Sequence, residues 1–332
     1  MVATASPLSP PSSASSRHLL VPYAGRNSPA CTAVLAGLRL PNLDSLLARL
    51  TLAADDTQAD TTRSPPHERA LAQALGLAAA DGCIPWAAME ARRSRVAEAD
   101  DAEAWGWATL CHWQVGIDDV VLGDPAAIEI DVAESDALLK AAQPFFEEDG
   151  IALHASAVPG RWLARGQVFR DLATASIDRA IGWPISRWSP LSDKGRSLRR
   201  LQNEMQMLLY TQRVNDDRAA RGVPPINSFW LSGTGALPPN LLPFDLDAPT
   251  VIGTLRPAAL RDDGQAWADA WRALDTGPIA EALAAAKRGE EVALTLCGDL
   301  AAKRFTTHKR TFGRWVKGLF ARPSATTLLA TL

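Results

Sequence analysis

The sequence predicts an α/β protein: a mostly parallel sheet core, reduced in size and interrupted by an inserted α+β domain. Three observations carry this. Short apolar runs, His18 to Val21 near the start and Val251 to Leu255 and Val292 to Leu296 near the end, are separated by helical stretches, the alternation of a parallel sheet. The texture changes near Asp100, after the charged run Arg92 to Asp101, to one dominated by tryptophans and short strands. Later, Ser197 to Gln212 places Leu198, Leu201, Met205, Leu208 and Leu209 on one helical face. The expected organisation is a disordered Ser/Pro/Ala-rich tail over 1–17, a discontinuous core of 18–95 with 225–332, and an insert over 96–224.

Taken in order, His18 to Val21 reads as a buried first strand closed by Pro22 and Gly25, with a helix soon after. Pro41 suits a first helical position, and Leu43, Leu46, Leu47 and Leu50 form its core-facing stripe. Asp55 to Arg63 is polar and reads as a loop. Ser64, Pro65 and Pro66 form the cap and first turn of a helix through Leu77, with the Ser64 hydroxyl bonded to backbone amides. In the insert, Ile128 to Ile130 and Ile151 to Leu153 read as strands flanking a helix over Ala133 to Gln143, followed by a strand at Arg161 to Leu163. Phe229 to Leu231 is the next strand, and Pro278 starts a helix through Lys287. Phe312, Trp315, Val316, Leu319 and Phe320, interleaved with Lys309, Arg310, Arg314, Lys317 and Arg322, form a basic amphipathic helix.

Composition removes several function classes. The 332 residues are 47% hydrophobic, enough for one large or two medium cores. A net charge of -3 gives no whole-chain attraction for nucleic acid or an anionic membrane, and the 11 tryptophans lack basic interleaving. No apolar run approaches the roughly 18 to 20 residues that span a bilayer. Cys31, Cys83, Cys111 and Cys297 are scattered without a Cys-x-x-Cys pair and read as free thiols of a cytoplasmic protein.

The most informative segment runs from Asn215 to Gly235: Asn-x-x-Arg-x-x-x-Gly-x-x-Pro-x-Asn-x-x-Trp-Leu-x-Gly-x-Gly, with Asn215, Arg218, Gly222, Pro225, Asn227, Trp230, Gly233 and Gly235 at fixed offsets. It resembles the region of archaeal-type cofactor-independent phosphoglycerate mutases, of the alkaline phosphatase superfamily, where the chain returns from an inserted domain to the catalytic core. Three further segments extend the resemblance. Leu40 to Asp44 is similar to the family's Thr-Pro-Asn-Leu-Asp, with Leu40 in place of threonine. Asp171 to Ser186, with Asp178, Gly182 and Pro184, is similar to Thr-Pro-Pro-His-Asp-Ile-Thr-Gly-Lys-Pro, with Ile177 in place of histidine. Val292 to Asp299 resembles the strand that leads into an Asp-His metal pair, but here it ends Cys297-Gly298-Asp299-Leu300. The pattern is truncated, as in bacterial regulatory proteins of the RpfE type.

The resemblance implies an alkaline-phosphatase-like core and a two-metal centre, in which clustered Asp and His hold the metals around a Ser or Thr nucleophile. The five histidines, His18, His67, His112, His154 and His308, form no His-x-His, His-Glu-x-x-His or Asp-His pair, and the first strand ends in Pro22 and Tyr23. The pairs Asp118/Asp119, Asp216/Asp217 and Asp262/Asp263 read as solvated turns. No catalytic or metal residue is therefore assigned, and no cofactor is expected. The candidate ligand site is Asn215, Arg218, Asn227, Trp230, Gly233 and Gly235 at the domain junction, facing an anionic phosphometabolite through Arg218. Its alternative is structural: the same side chains would bond the backbones of adjoining turns. Gly233-x-Gly235 is a tight turn and not a dinucleotide fingerprint, since Pro238 and Pro239 block a helix start. Two functions follow: a non-catalytic regulatory or ligand-sensing protein, or an active phosphoglycerate mutase or other phosphoryl-transfer enzyme with a rearranged site holding Mn or Zn. A third, weaker reading is a scaffold whose C-terminal helix binds a protein partner.

Overall fold

The computed structural model describes residues 17–98, 101–190, 194–238, 248–307 and 324–332. The tail over 1–16 and the basic helix expected over 309–322 lie outside the described residues. Eleven strands are described: β1 Arg17–Val21, β2 Thr51–Thr57, β3 Ala104–Cys111, β4 Trp113–Val115, β5 Val120–Leu122, β6 Ala152–Ala155, β7 Arg161–Arg165, β8 Ser228–Ala236, β9 Thr250–Val251, β10 Val292–Cys297 and β11 Ala301–Thr306. The chain divides into two compact units, Met1–Asp56 with Phe244–Leu332, and Thr57–Pro243.

The first unit is α/β. Its sheet runs β2-β11-β10-β1-β9, with β1 parallel to both β10 and β9 and β11 folded back antiparallel on β10. Every residue of β10 is buried, the pattern of a strand covered on both faces. Helices Pro29–Leu35, Pro41–Leu47, Gly264–Leu274 and Ala280–Lys287 contribute to its core. In Gly264–Leu274 the apolar spacing turns Trp267, Ala268, Trp271 and Leu274 inward. The two indoles meet edge to face at 6.3 Å, and each N–H finds a carbonyl: Trp267 donates to Tyr23 O at 3.0 Å and Trp271 to Ala24 O at 3.1 Å.

The second unit is α+β. An antiparallel sheet, β6-β7-β3-β8, packs one face against helices Val132–Glu148 and Lys194–Tyr210 through Ala108, Leu110, Trp162, Phe229 and Leu231. Helix Trp86–Arg93 lies against β3 and β8 and buries Trp86, Ala87, Ala88 and Ala91. The small β4–β5 hairpin completes the unit's strands.

Several sequence expectations are corrected here. Residues 57–95 and 225–238 belong to the second unit's fold, because Trp86–Arg93 and β8 both pack on β3. Phe229 to Leu231 consequently lies in an antiparallel ladder and not in the parallel sheet. Ile128 to Ile130 is not a strand: Asp124 caps a 3-10 turn over Pro125–Ile128, and Asp131 then opens the next helix with a capping box shared with Glu134. That helix runs on through Pro144 to Glu148, since Leu138, Ala142 and Phe146 keep one face buried. Asp55 to Thr57 ends the exposed edge strand β2, where Thr-rich sequence suits a strand as well as a loop. Of the strand expected over Val251 to Leu255, only Val251 pairs with β1, together with Thr250 before it, and Gly253–Leu255 turns into a 3-10 helix. The backbone leaves the helical region at Gly277 (φ -102°, ψ -106°), a kink that separates Gly264–Leu274 from the helix ending at Lys287, and Pro278 follows that kink directly, at the start the sequence predicts. Asp216 and Asp217 lie within helix Arg213–Ala220 and not in a turn.

Candidate functional site

The Asn215–Gly235 motif lies inside the second unit, and its side chains are bonded to neighbouring protein groups. Arg218 is 1% exposed; it donates to Glu134 Oε2 at 2.7 Å, to Pro224 O at 2.8 Å and to Ile128 O at 2.5 Å. Arg221 bonds the other oxygen of the same carboxylate. Asn215 bridges Leu209 O and both backbone groups of Ile226, each at 2.8 Å. Asn227 does likewise for Trp113, accepting its amide at 2.7 Å and donating to its carbonyl at 2.9 Å. These three fasten the turn between helix Arg213–Ala220 and β8, with the donor and acceptor pairing of the structural alternative.

Trp230, Gly233 and Gly235 point to a different place. The Trp230 indole donates to Ala175 O at 3.0 Å. Gly233 has φ 63°, and a Cβ there would stand 2.8 Å from the Trp107 ring and 3.2 Å from Trp86 Cβ. At Gly235, φ 141°, it would meet Cys83 O at 3.1 Å. Both glycines let β8 pass close under the start of helix Trp86–Arg93. Trp86 in turn leads to a polar cluster that lies outside the Asn215–Gly235 motif.

That cluster surrounds the first turn of helix Pro66–Ala74. Glu68 accepts from the Trp86 indole at 3.1 Å and from the Ser176 hydroxyl. Burial pushes its pKa up, against the opposing pull of His67 and the Ser176 bond. His67 Nε2 lies 3.3 Å from Asp178 Oδ2. Ser64 is not the helix cap: Pro65 occupies that position, and the Ser64 hydroxyl accepts from Gly82 N at 2.9 Å. Asp81 receives the amides of Arg63 and Ser64, both at 2.9 Å. Arg69 donates to Ser64 O at 2.6 Å and to Thr62 Oγ1 at 3.4 Å, and Arg179 reaches the same Thr62 oxygen at 3.0 Å. Arg69 also lines a cavity of about 400 Å³ with Ala72, Gln73, Leu77 and Ile84. One sequence signal was available: Ser64, His67, Glu68 and Asp178 stand in the two segments around Pro66 and Gly182, but their pairing needs the fold.

In the first unit, the carboxyl ends of β1 and β10 are where an open α/β sheet presents a ligand site. Here they are filled. Arg26 pairs with Asp299 at 2.5 Å, and Asn27 N donates to the same carboxylate at 2.9 Å. Leu332 O accepts from Leu300 N and Ala301 N, both at 2.9 Å, and Gly25 and Gly298 press against Leu329 and Leu332. The donor set does not fit a two-metal centre: Asp299 is joined by Tyr23 and Cys297 at the strand ends, and no group of three His, Cys, Asp or Glu able to hold a metal occurs among the described residues.

No protein-family model matches the sequence, and no curated protein matches it. Among solved structures, a cofactor-independent phosphoglycerate mutase from Thermoplasma acidophilum DSM 1728 shares 14% identity over 94% of this chain and 95% of that chain, at a TM-score of 0.38. The PH0037 protein from Pyrococcus horikoshii shares 13% over 88% and 87%, at 0.42. Likeness at this level carries no argument about chemistry. No helix among the described residues is long and apolar enough to cross a membrane.

Proposed function

We propose that this chain is a non-catalytic, ligand-sensing or regulatory protein of the cytoplasm, a metal-site-degenerate relative of cofactor-independent phosphoglycerate mutases that is like the bacterial regulatory proteins of the RpfE type. The observation that carries the reading is the filling of the β1 and β10 carboxyl ends by the Arg26–Asp299 pair and by Leu329 and Leu332. Phosphoryl transfer needs charge-neutralising groups and open room around the reacting oxygens. Asp299, the one carboxylate that the resemblance brings to this end, is engaged by Arg26 and Asn27. A pocket in the other unit, lined by apolar groups and a few polar ones, is a place where a small ligand could bind.

The test is an assay of purified full-length protein for interconversion of 2- and 3-phosphoglycerate with added Mn²⁺, together with its metal content. The expected result is no turnover and no stoichiometric Mn or Zn. Turnover abolished by a chelator would overturn the reading in favour of an active phosphoryl-transfer enzyme.

A further inference from the structure

We propose that the crevice at the carboxyl ends of β1 and β10 is a groove for a short amphipathic helical peptide, occupied by the chain's own segment 324–332 until a competing peptide displaces it; this deepens and rests on the ligand-sensing reading. Helix Ala325–Leu329 and the three residues after it turn Ala325, Leu329 and Leu332 inward, with Leu328 half-buried beside them, while Thr327, Ala330 and Thr331 face solvent. The buried positions are spaced i, i+4, i+7, the anchor pattern of a helix seated in an apolar groove. A Cβ on Gly298 would stand 2.5 Å from the Leu332 carbonyl carbon, and one on Gly25 would stand 2.8 Å from Leu332 Cβ. Neither glycine has a positive φ, so room for the segment, and not backbone conformation, is what calls for glycine at both places.

Polar groups grip the segment at both ends. Asp44 Oδ1 accepts from Ala325 N at 2.7 Å, and the Ser324 hydroxyl caps the helix by accepting from Thr327 N at 3.2 Å. At the far end Leu300 N and Ala301 N, each at 2.9 Å, converge on Leu332 O, as paired backbone amides grip a carbonyl or carboxylate oxygen. Lys303 adds a bond to Thr331 Oγ1 at 3.0 Å. A helix of five residues does not persist alone in water, because its first turn is costly to nucleate, so the groove is what holds it folded. The segment contributes no strand to the sheet, and the β1–β10 ladder stays whole when it leaves. The chemistry thus selects a peptide with a small residue, leucines four and seven positions later, and an acceptor oxygen at its end.

A fluorescein-labelled synthetic peptide of residues 324–332, titrated against the full chain by anisotropy, tests this. The chain carrying Leu329→Ser with Leu332→Ser should bind it at least about tenfold more tightly than the wild type, whose groove is already occupied. The peptide carrying the same two serines should not bind, and adding Gly298→Val to the doubly substituted chain should abolish binding by filling the groove. No binding by the doubly substituted chain, or affinity equal to the wild type's, overturns the proposal. Should that chain not fold, the wild type decides: peptide with photoleucine in place of Leu332, at a concentration on the order of millimolar to match the tethered segment, should crosslink beside Gly25 or Gly298. Crosslinks elsewhere, or none, overturn the proposal. A wild-type dimer that the peptide dissociates would put a second copy's segment in the groove and overturn occupancy within one chain. Turnover of phosphoglycerate with peptide binding intact would defeat the non-catalytic reading and leave this groove standing.

Discussion

His18, in β1, is 7% exposed, its Nε2 2.8 Å from Thr295 Oγ1 of the neighbouring β10. Burial, and secondarily Arg304, lower its pKa from 6.5 to about 4. The folded ring stays neutral where the unfolded one takes up a proton, so the unfolded state binds more protons between those two values. Stability contributed by the neutral ring is full above about pH 6.5 and is lost as pH falls toward 4, by up to about 3 kcal/mol. Urea melts at pH 4.5 and 7.5 should show that His18→Gln flattens this difference. Glu68 works in the opposite sense: its raised pKa favours the folded state at low pH, and that advantage is lost as pH rises past the ordinary carboxyl range. Glu68→Gln is therefore expected to gain stability at pH 8 relative to the wild type. A third residue, Arg218, was placed in a ligand site because its partner Glu134 lies 84 positions away and nothing local announces the pair. Arg218→Ala should cost about 3 to 5 kcal/mol in denaturant melts, since it leaves Glu134 buried against one remaining arginine.

Helices were the more legible elements. Lys194–Tyr210 follows its leucine stripe, and Pro41–Leu47 starts at the proline that predicts it. Strand β3 was missed although it is central, because Ala104, Trp105, Gly106 and Trp107 are buried or partly buried on both faces and show no alternation. The capping residues Asp131 and Glu134 stand in the sequence as an Asp-x-x-Glu signature, but the neighbouring Ile128 and Ile130 alternate as a strand would and mask it. Asp131→Ala should lower stability by about 1 kcal/mol, measured by urea unfolding. Gly233→Ala should cost more, because φ 63° and the Trp107 ring both resist a side chain; a shifted Trp fluorescence spectrum would accompany the loss. The candidate cluster was illegible for a related reason: Glu68 and Ser176 lie 108 positions apart and meet only through tertiary packing.

At the scale of the molecule, the two hydrophobic cores share no residue: one draws on 19–50 and 255–332, the other on 104–231. The fragment 57–243, an uninterrupted stretch that closes its own sheet, is expected to fold alone, with cooperative urea unfolding; a non-cooperative transition would count against that independence. Alternation of apolar runs with helices made the α/β character of the first unit readable, whereas β11 and the plugging residues around Leu332 had no signature beyond ordinary apolar sequence. The pairing of β1 with β10 has a temporal side. His18 and Thr295 meet across 277 positions, so at about 5 to 20 residues per second a ribosome needs roughly 14 to 55 s after making β1 before its partner exists. During that interval Leu19, Leu20 and Val21 emerge as an unpaired apolar segment while the later-made second unit can already be complete. Nascent chains of this protein therefore depend on being shielded at their first strand, and holdase chaperones should crosslink there in preference to the middle of the chain.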